Sequence, residues 1–296
     1  MTDDAFWTER IGVYALEALL VEVAATPKPG LVDRANNGAH DDTDYFTFQW
    51  SAAALSSYFP AFAAVGRAWS GGATGLLEAL RAPGIEAEKA MFDRTGGVNT
   101  HKGAIFTLGL LCGAAGLASQ HAKNGIAPEV VCGYAKDMCA GLCTMELSVS
   151  HTATDLSHGE RVFRKYGLTG ARGEAEGGYR VLTREALPYY RELKARELPL
   201  NTVLCGTLLK LMACVTDTNV VYRHDLATAC EVRNHGRDLL TVFDRDPVKG
   251  LDGMTELDKE YRKRRISPGG CADLLAACYF LDCLATVPHG QQGKAS

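Results

Sequence analysis

The sequence lacks a long uninterrupted apolar run, a paired-cysteine motif and a strong excess of either charge. Its first ten residues, MTDDAFWTER, are acidic and carry no basic stretch ahead of an apolar one, so no signal peptide is expected. The longest apolar stretch, Ala104 to Ala118, is interrupted by Thr107, Gly109, Gly113 and Gly116. It falls short of the roughly 18 residues a membrane helix needs, and no membrane partner is expected. None of the 10 cysteines forms a CxxC pair, which argues against zinc and redox motifs. Cys132, Cys139 and Cys143 recur at helical spacing, and Cys205, Cys214, Cys278 and Cys283 sit in apolar runs, so they read as buried free thiols of a reducing, cytoplasmic compartment. With 31 basic against 35 acidic side chains the formal net charge is -4, which gives no general attraction for nucleic acid. A small anionic ligand would need a local basic site.

What is present is an ordinary globular composition, 47% hydrophobic and 22% charged over 296 residues, read as one domain spanning residues 1–296. Helix-period segments are predicted at Glu9 to Ala25, Phe46 to Ala68, Thr74 to Arg81, Glu86 to Arg94, Ala104 to Lys123 and Pro128 to Ser148. They continue at Thr183 to Arg196, Asn201 to Val215, Asp225 to Arg245, Glu256 to Arg265 and Cys271 to Thr286. Only short stretches such as Tyr179 to Thr183 would pass for strands. The expected fold is all-α, a single multi-helix domain whose polar inter-helix loops form one cleft. Apolar helices such as Asn201 to Val215 suit a core, and a homodimer is left open.

The chemistry gathers in those loops. TGGVNTHKGAIF, from Thr95, places Gly96, Gly97, Asn99, Thr100, His101 and Lys102 before an apolar helix. It is no P-loop, because His101 stands where the second glycine belongs and Gly103 where the magnesium-binding Ser or Thr belongs. What remains is a helix start whose N-H groups, with Lys102, attract an anion. TPKPGLVDR adds Lys28, Asp33 and Arg34; GAHDDTD adds His40, Asp41, Asp42 and Asp44, oxygen enough for a magnesium ion that keeps some waters. The connection from His151 to Gly178 adds Glu160, Arg172, Glu174 and Glu176. DTNVVYR and SPGGCADLL add Asp217, Asn219, Arg223, Ser267, Gly269, Gly270 and Asp273. Each has a plainer reading, such as Ser267 capping a helix or the basic run Arg262 to Arg265 forming a solvated helix end that faces no phosphate. Together they suggest one polar cleft for a metal and a polyphosphate.

In this order and at these separations, TPKPGLVDR, GAH-x-D, TGGVNTHKGAIF, GLTGARGEAE, DTNV and SPGG-x-ADLL resemble the triphosphoribosyl-dephospho-CoA synthase family, from about Glu17 to Leu284. Departures are Thr43, where the family commonly has Met, and His224, where it commonly has Gly; neither removes a charge. The resemblance implies an all-helical enzyme that moves the triphosphoribosyl group of ATP to the 2'-hydroxyl of 3'-dephospho-CoA and releases adenine. The product would pass to a holo-acyl-carrier-protein synthase serving citrate lyase or, in a sister branch, malonate decarboxylase; the wording of GLTGARGEAE leans toward the former.

On that resemblance, Asp33, His40, Asp42 and Glu174 are candidate bases, and a carboxylate near C1 would steady an oxocarbenium-like transition state. Magnesium is expected on Asp42, Asp44 and Asp217. Lys28, Lys102 and Arg172 would hold phosphates, with Asn99, Thr100, Asn219, Arg223, Ser267 and the glycines Gly96, Gly97, Gly269 and Gly270 shaping the pocket. His101 would either protonate adenine or cap its helix and orient Lys102. The rival readings are a magnesium-dependent ADP-ribose or nucleotide N-glycosidase and a non-catalytic nucleotide-binding protein.

Overall fold

Apolar residues recur at helical spacing along nearly the whole chain. The computed structural model, which describes residues 3–147 and 156–286, is accordingly helical, with no strand among the described residues. The first half runs α1 (Asp3–Ala24), α2 (Tyr45–Leu55), α3 (Tyr58–Ala68), α4 (Leu76–Thr95), α5 (Lys102–Ser119), α6 (Pro128–Met138) and α7 (Leu142–Leu147). Then come α8 (His158–Tyr166), α9 (Gly170–Glu176), a π-helical turn (Leu182–Ala186), α10 (Leu187–Ala195) and α11 (Leu200–Cys214). The series closes with α12 (Thr218–Arg223), α13 (Leu226–Arg245), α14 (Pro247–Arg264) and α15 (Gly269–Ala285).

Proline explains most differences from the sequence-based boundaries. The stretch expected as one helix from Phe46 to Ala68 divides between α2 and α3, because Pro60 has no N-H to carry the ladder back to Ser56. Pro83 does not break α4 as expected: the helix runs through it, with Leu76, Leu80, Ala87 and Met91 buried on either side to offset a cost of about 3 kcal/mol. Pro188 likewise lacks an N-H, and the turn before it opens into the π-helical turn, so α10 starts later than Thr183. Pro247 at the first position of α14, behind the Asp246 cap, extends that helix well before Glu256. Gly141, at φ 79°, separates α6 from α7, where one helix to Ser148 was expected; Ser148 and the start of the His151 connection lie outside the described residues. Tyr179 to Thr183, the strand-like stretch, is a turn that opens into helix.

The core is built around α5, nearly every residue of which is buried, against α1, α3, α4, α6, α9 and α15. By length and composition α5 is apolar enough to cross a membrane, contrary to the reading from its glycines, but 83% of it is buried inside the fold. Those glycines let helices approach: a Cβ on Gly66 of α3 would overlap the Gly113 carbonyl, and one on Gly116 would overlap the Ala63 carbonyl. α11, from Val203 to Ala213, is core as expected, and all ten cysteines are free. This packing brings the N-terminal ends of α5, α12 and α15 to the loop at residues 25–44.

Candidate functional site

The loop at residues 25–44 is held by two buried carboxylates. Asp33 accepts N-H groups from Lys28 (3.0 Å), Ala35 (2.7 Å) and Asn36 (3.1 Å). Asp258 of α14 accepts the Gly30 N-H (2.9 Å) and the Asn36 amide (3.0 Å). Gly30, at φ 70°, passes so close to the Ile266 carbonyl that a side chain there would overlap it. With the loop so fixed, Lys28 is 1% exposed, and its Nζ meets the Glu22 carboxylate of α1. Burial raises the Glu22 carboxyl above its ordinary value despite that partner.

A cavity of about 140 Å³ opens onto this ion pair. Its wall carries Lys28, His40, Asn99, Thr100, His101, Lys102, Asn219, Arg223, Ser267 and Gly269. Lys102 is half-exposed and reaches Glu88 at 2.8 Å, and its backbone N-H donates to Asn99 Oδ1. Arg223 makes no ion pair with any described residue. His40 Nε2 stands 3.1 Å from Ser267 Oγ, and its pKa is lowered by burial and by Arg223. Ser267 therefore faces His40 rather than capping α15, which begins without a side-chain cap.

His101 makes no capping bond either. Thr100 Oγ1 donates to Ser51 Oγ (2.7 Å), which leaves the serine hydroxyl to donate to His101 Nδ1 (2.7 Å). With the serine as donor the ring proton is on Nε2, a buried atom with no partner among the described residues. Burial, with Lys28 nearby, lowers the His101 pKa to about 3, so the ring is a neutral hydrogen-bond donor at pH 7. Below pH 6.5 the unfolded chain binds a proton that the folded one refuses until about pH 3, so stability is lost as pH falls through that window. Unfolding free energy measured in urea between pH 7 and 4 is expected to drop by up to about 1.4 kcal/mol per pH unit from this ring. His101→Gln should flatten that slope.

A second cavity, of about 430 Å³, lies beside the first and shares Gly103, Asn219 and Asp273 with it. Thr107, Leu168, Glu174, Tyr179, Val215, Asp217 and Leu274 line the rest, together with Gly270. Burial raises the Glu174 carboxyl. Asp217 is spent on structure: it accepts the Asn219 (2.8 Å), Val220 (3.4 Å) and Cys271 (2.9 Å) N-H groups and so fixes α12 to the start of α15.

Other candidates stand apart from these walls. Asp33 lines neither cavity, its oxygens being taken by the loop. Arg172 donates to Glu146 (2.6 Å) and lines a different cavity with Arg81 and Phe62. Gly96 and Gly97 end α4, at φ 67° and 90°, with open space around them. Asp44 caps α2 in a capping box with Thr47, whose backbone bond lowers its pKa, and Asp42 is exposed 3.9 Å from His40. Asp42, Asp44 and Asp217 are not gathered as a ligand set, and no group of three His, Cys, Asp or Glu side chains among the described residues is placed to hold a metal. The run Arg262 to Arg265 pairs with Asp258, Glu231, Glu260 and Asp41 and lines neither cavity. Three site residues went without a role in the sequence: Ser51, Glu22 and Asp273. Glu22 had left a signal, a carboxylate on the same helical stripe as Ile11, Ala15 and Ala18.

The family described as ATP:dephospho-CoA triphosphoribosyl transferase matches residues 8–290. A protein of Vibrio cholerae serotype O1 (strain M66-2), named as a probable 2-(5''-triphosphoribosyl)-3'-dephosphocoenzyme-A synthase, is 42% identical over 272 residues, covering 92% of this chain and 87% of its own. One of the same name from Citrobacter koseri is 40% identical over 284 residues, covering 94% and 93%. No solved structure matches.

Proposed function

Because the chain belongs to the ATP:dephospho-CoA triphosphoribosyl transferase family, we propose that it transfers the triphosphoribosyl group of ATP to the 2'-hydroxyl of 3'-dephospho-CoA and releases adenine. The observation that carries this reading is the pair of adjoining cavities, one walled by Lys28, Lys102, Arg223 and two neutral histidines, the other by mostly uncharged groups. In this reading the two cavities form one cleft. The triphosphate lies in the first cavity, and the purine in the second. The reacting ribose carbon is then at their junction.

Lys28, buried and immobilised by Glu22, gives a cation that costs little ordering when phosphate arrives. His101 Nε2 donates from a fixed, neutral ring, and Asn219 and Ser267 orient groups from the facing helix starts. The bond that breaks joins C1 of the ribose to adenine, so positive charge grows at that carbon. Magnesium in this proposal arrives with the triphosphate, since the described residues hold no preformed cage, and no step here depends on it. The product would serve as the prosthetic-group precursor of a citrate lyase or malonate decarboxylase carrier protein, handed on by a holo-acyl-carrier-protein synthase. A reducing, cytoplasmic setting is part of the same reading.

The test is chromatographic. Protein with ATP and magnesium is incubated with and without 3'-dephospho-CoA, and adenine and the coenzyme adduct are quantified by mass. Equal amounts of both, formed only with the acceptor, are expected. Adenine without the acceptor would instead favour a hydrolase, and none in either tube would sink the reading. Lys102→Ala should abolish product and yet melt near wild type, because a half-exposed pair holds only about 0–1 kcal/mol.

A further inference from the structure

Asp273 of α15 is the one carboxylate shared by both cavities. Its Oδ2 lies against Gly103 in the first turn of α5, so closely that a Cβ on that glycine would overlap it. Among the described residues it has no hydrogen bond and no ion pair. The cations of the first cavity are engaged elsewhere or lie at its exposed rim: Lys28 by Glu22, Lys102 by Glu88. The neighbouring charges that do act on Asp273, Glu22 and Asp217, are of its own sign. His101, a buried residue of the wall of the same first cavity, carries an Nε2 with no partner among the described residues.

We propose that Asp273 is the general acid of the reaction, delivering a proton to the departing adenine. The proposal rests on the transfer reading above. Burial, reinforced by Glu22 and Asp217, holds the Asp273 carboxyl well above the usual carboxylate range, which favours the protonated form that an acid needs. A triphosphate arriving next door adds like charge and keeps that proton in place. The step balances: the C1-to-purine bond breaks and the purine nitrogen takes the Asp273 proton. The acceptor 2'-oxygen forms the new bond to C1 and loses its proton to water, and water returns one to Asp273. Glycine at position 103 is what lets the carboxyl stand at the junction, since any side chain there would displace it.

The experiment compares wild type with the near-isosteric Asp273→Asn on two substrates, ATP and its N7-methylated analogue. The purine of the analogue is already cationic and leaves without help from an acid. With 3'-dephospho-CoA present, release of the purine from ATP should fall roughly 100- to 10,000-fold in the variant, and release from the analogue should fall less than about tenfold. ATP affinity, read by calorimetry, should change little. An equal loss on both substrates, or no loss on ATP, overturns the assignment. Should the asparagine variant not fold, Asp273→Ala assayed with and without formate reads the same question, and failure of formate to restore release overturns it. Wild type that releases no adenine from ATP in the presence of the acceptor marks the failure of the transfer reading itself, and the assignment falls with it.

Discussion

Lys28→Met is expected to abolish adenine release and to cost about 3–5 kcal/mol of folding stability. The two losses have different origins. Activity goes because a buried, oriented cation is removed from the cavity floor. Stability goes because Glu22, itself 5% exposed, loses the only charge that lowers its pKa, and it must either stay ionised without a partner or take up a proton. Urea unfolding followed by circular dichroism checks the second effect. Glu22→Leu combined with Lys28→Met should recover most of the stability, since a buried ion pair is often no better than apolar residues of similar volume, and should recover none of the activity. Full stability in Lys28→Met alone would mean that the pair is not formed in solution.

The second large effect is steric and lies far from any charge. Gly66→Val is expected to destabilise the protein by more than about 3 kcal/mol, because its Cβ alone would overlap the Gly113 carbonyl where α3 and α5 touch. Neither helix can slide away freely, as α5 is held on its other sides by α1, α4, α6 and α15. Gly133→Val, with open space around the glycine on α6, is the control and should be neutral or stabilising by well under about 1 kcal/mol, since valine is the better helix former of the two. Thermal melts of the two variants side by side decide the matter. Similar melting temperatures would show that the seam is looser than these contacts require.

How far the sequence could be read depended on the kind of signal each residue leaves. Helix identity was legible, since period and capping are local properties, and α1, α5, α11, α13 and α15 begin or end within a few residues of where their patterns do. Proline was read too simply. At Pro83 buried neighbours outweigh the lost bond, whereas ahead of Pro60 the helix is interrupted at Ser56 and Ser57, and the difference lies in packing that no single window contains. In the candidate site, the motif residues around Lys28, His40, His101, Asn219 and Ser267 were legible because they stand in glycine-rich, polar loops. Their partners were not. Glu22 and Ser51 sit on helices with apolar neighbours, and only the fold reveals that Glu22 meets Lys28 and that Ser51 sets the proton on His101. Asp33 and Asp217 show the converse: a carboxylate in a conspicuous motif can be fully used by backbone N-H groups.

The apolar helix α5 also bears on how the chain must be made. It is among the first long elements to emerge, yet part of its cover comes from α15, which begins only at Gly269. Throughout most of synthesis an 18-residue segment with the hydropathy of a membrane span therefore lacks the last helix that hides it. A growing chain in that state is a ready client for chaperones and for self-association. Truncations that end before α15 should accordingly fail by aggregation rather than by loss of a few terminal contacts, and the C-terminal helix serves as the closure of a core begun near the other end.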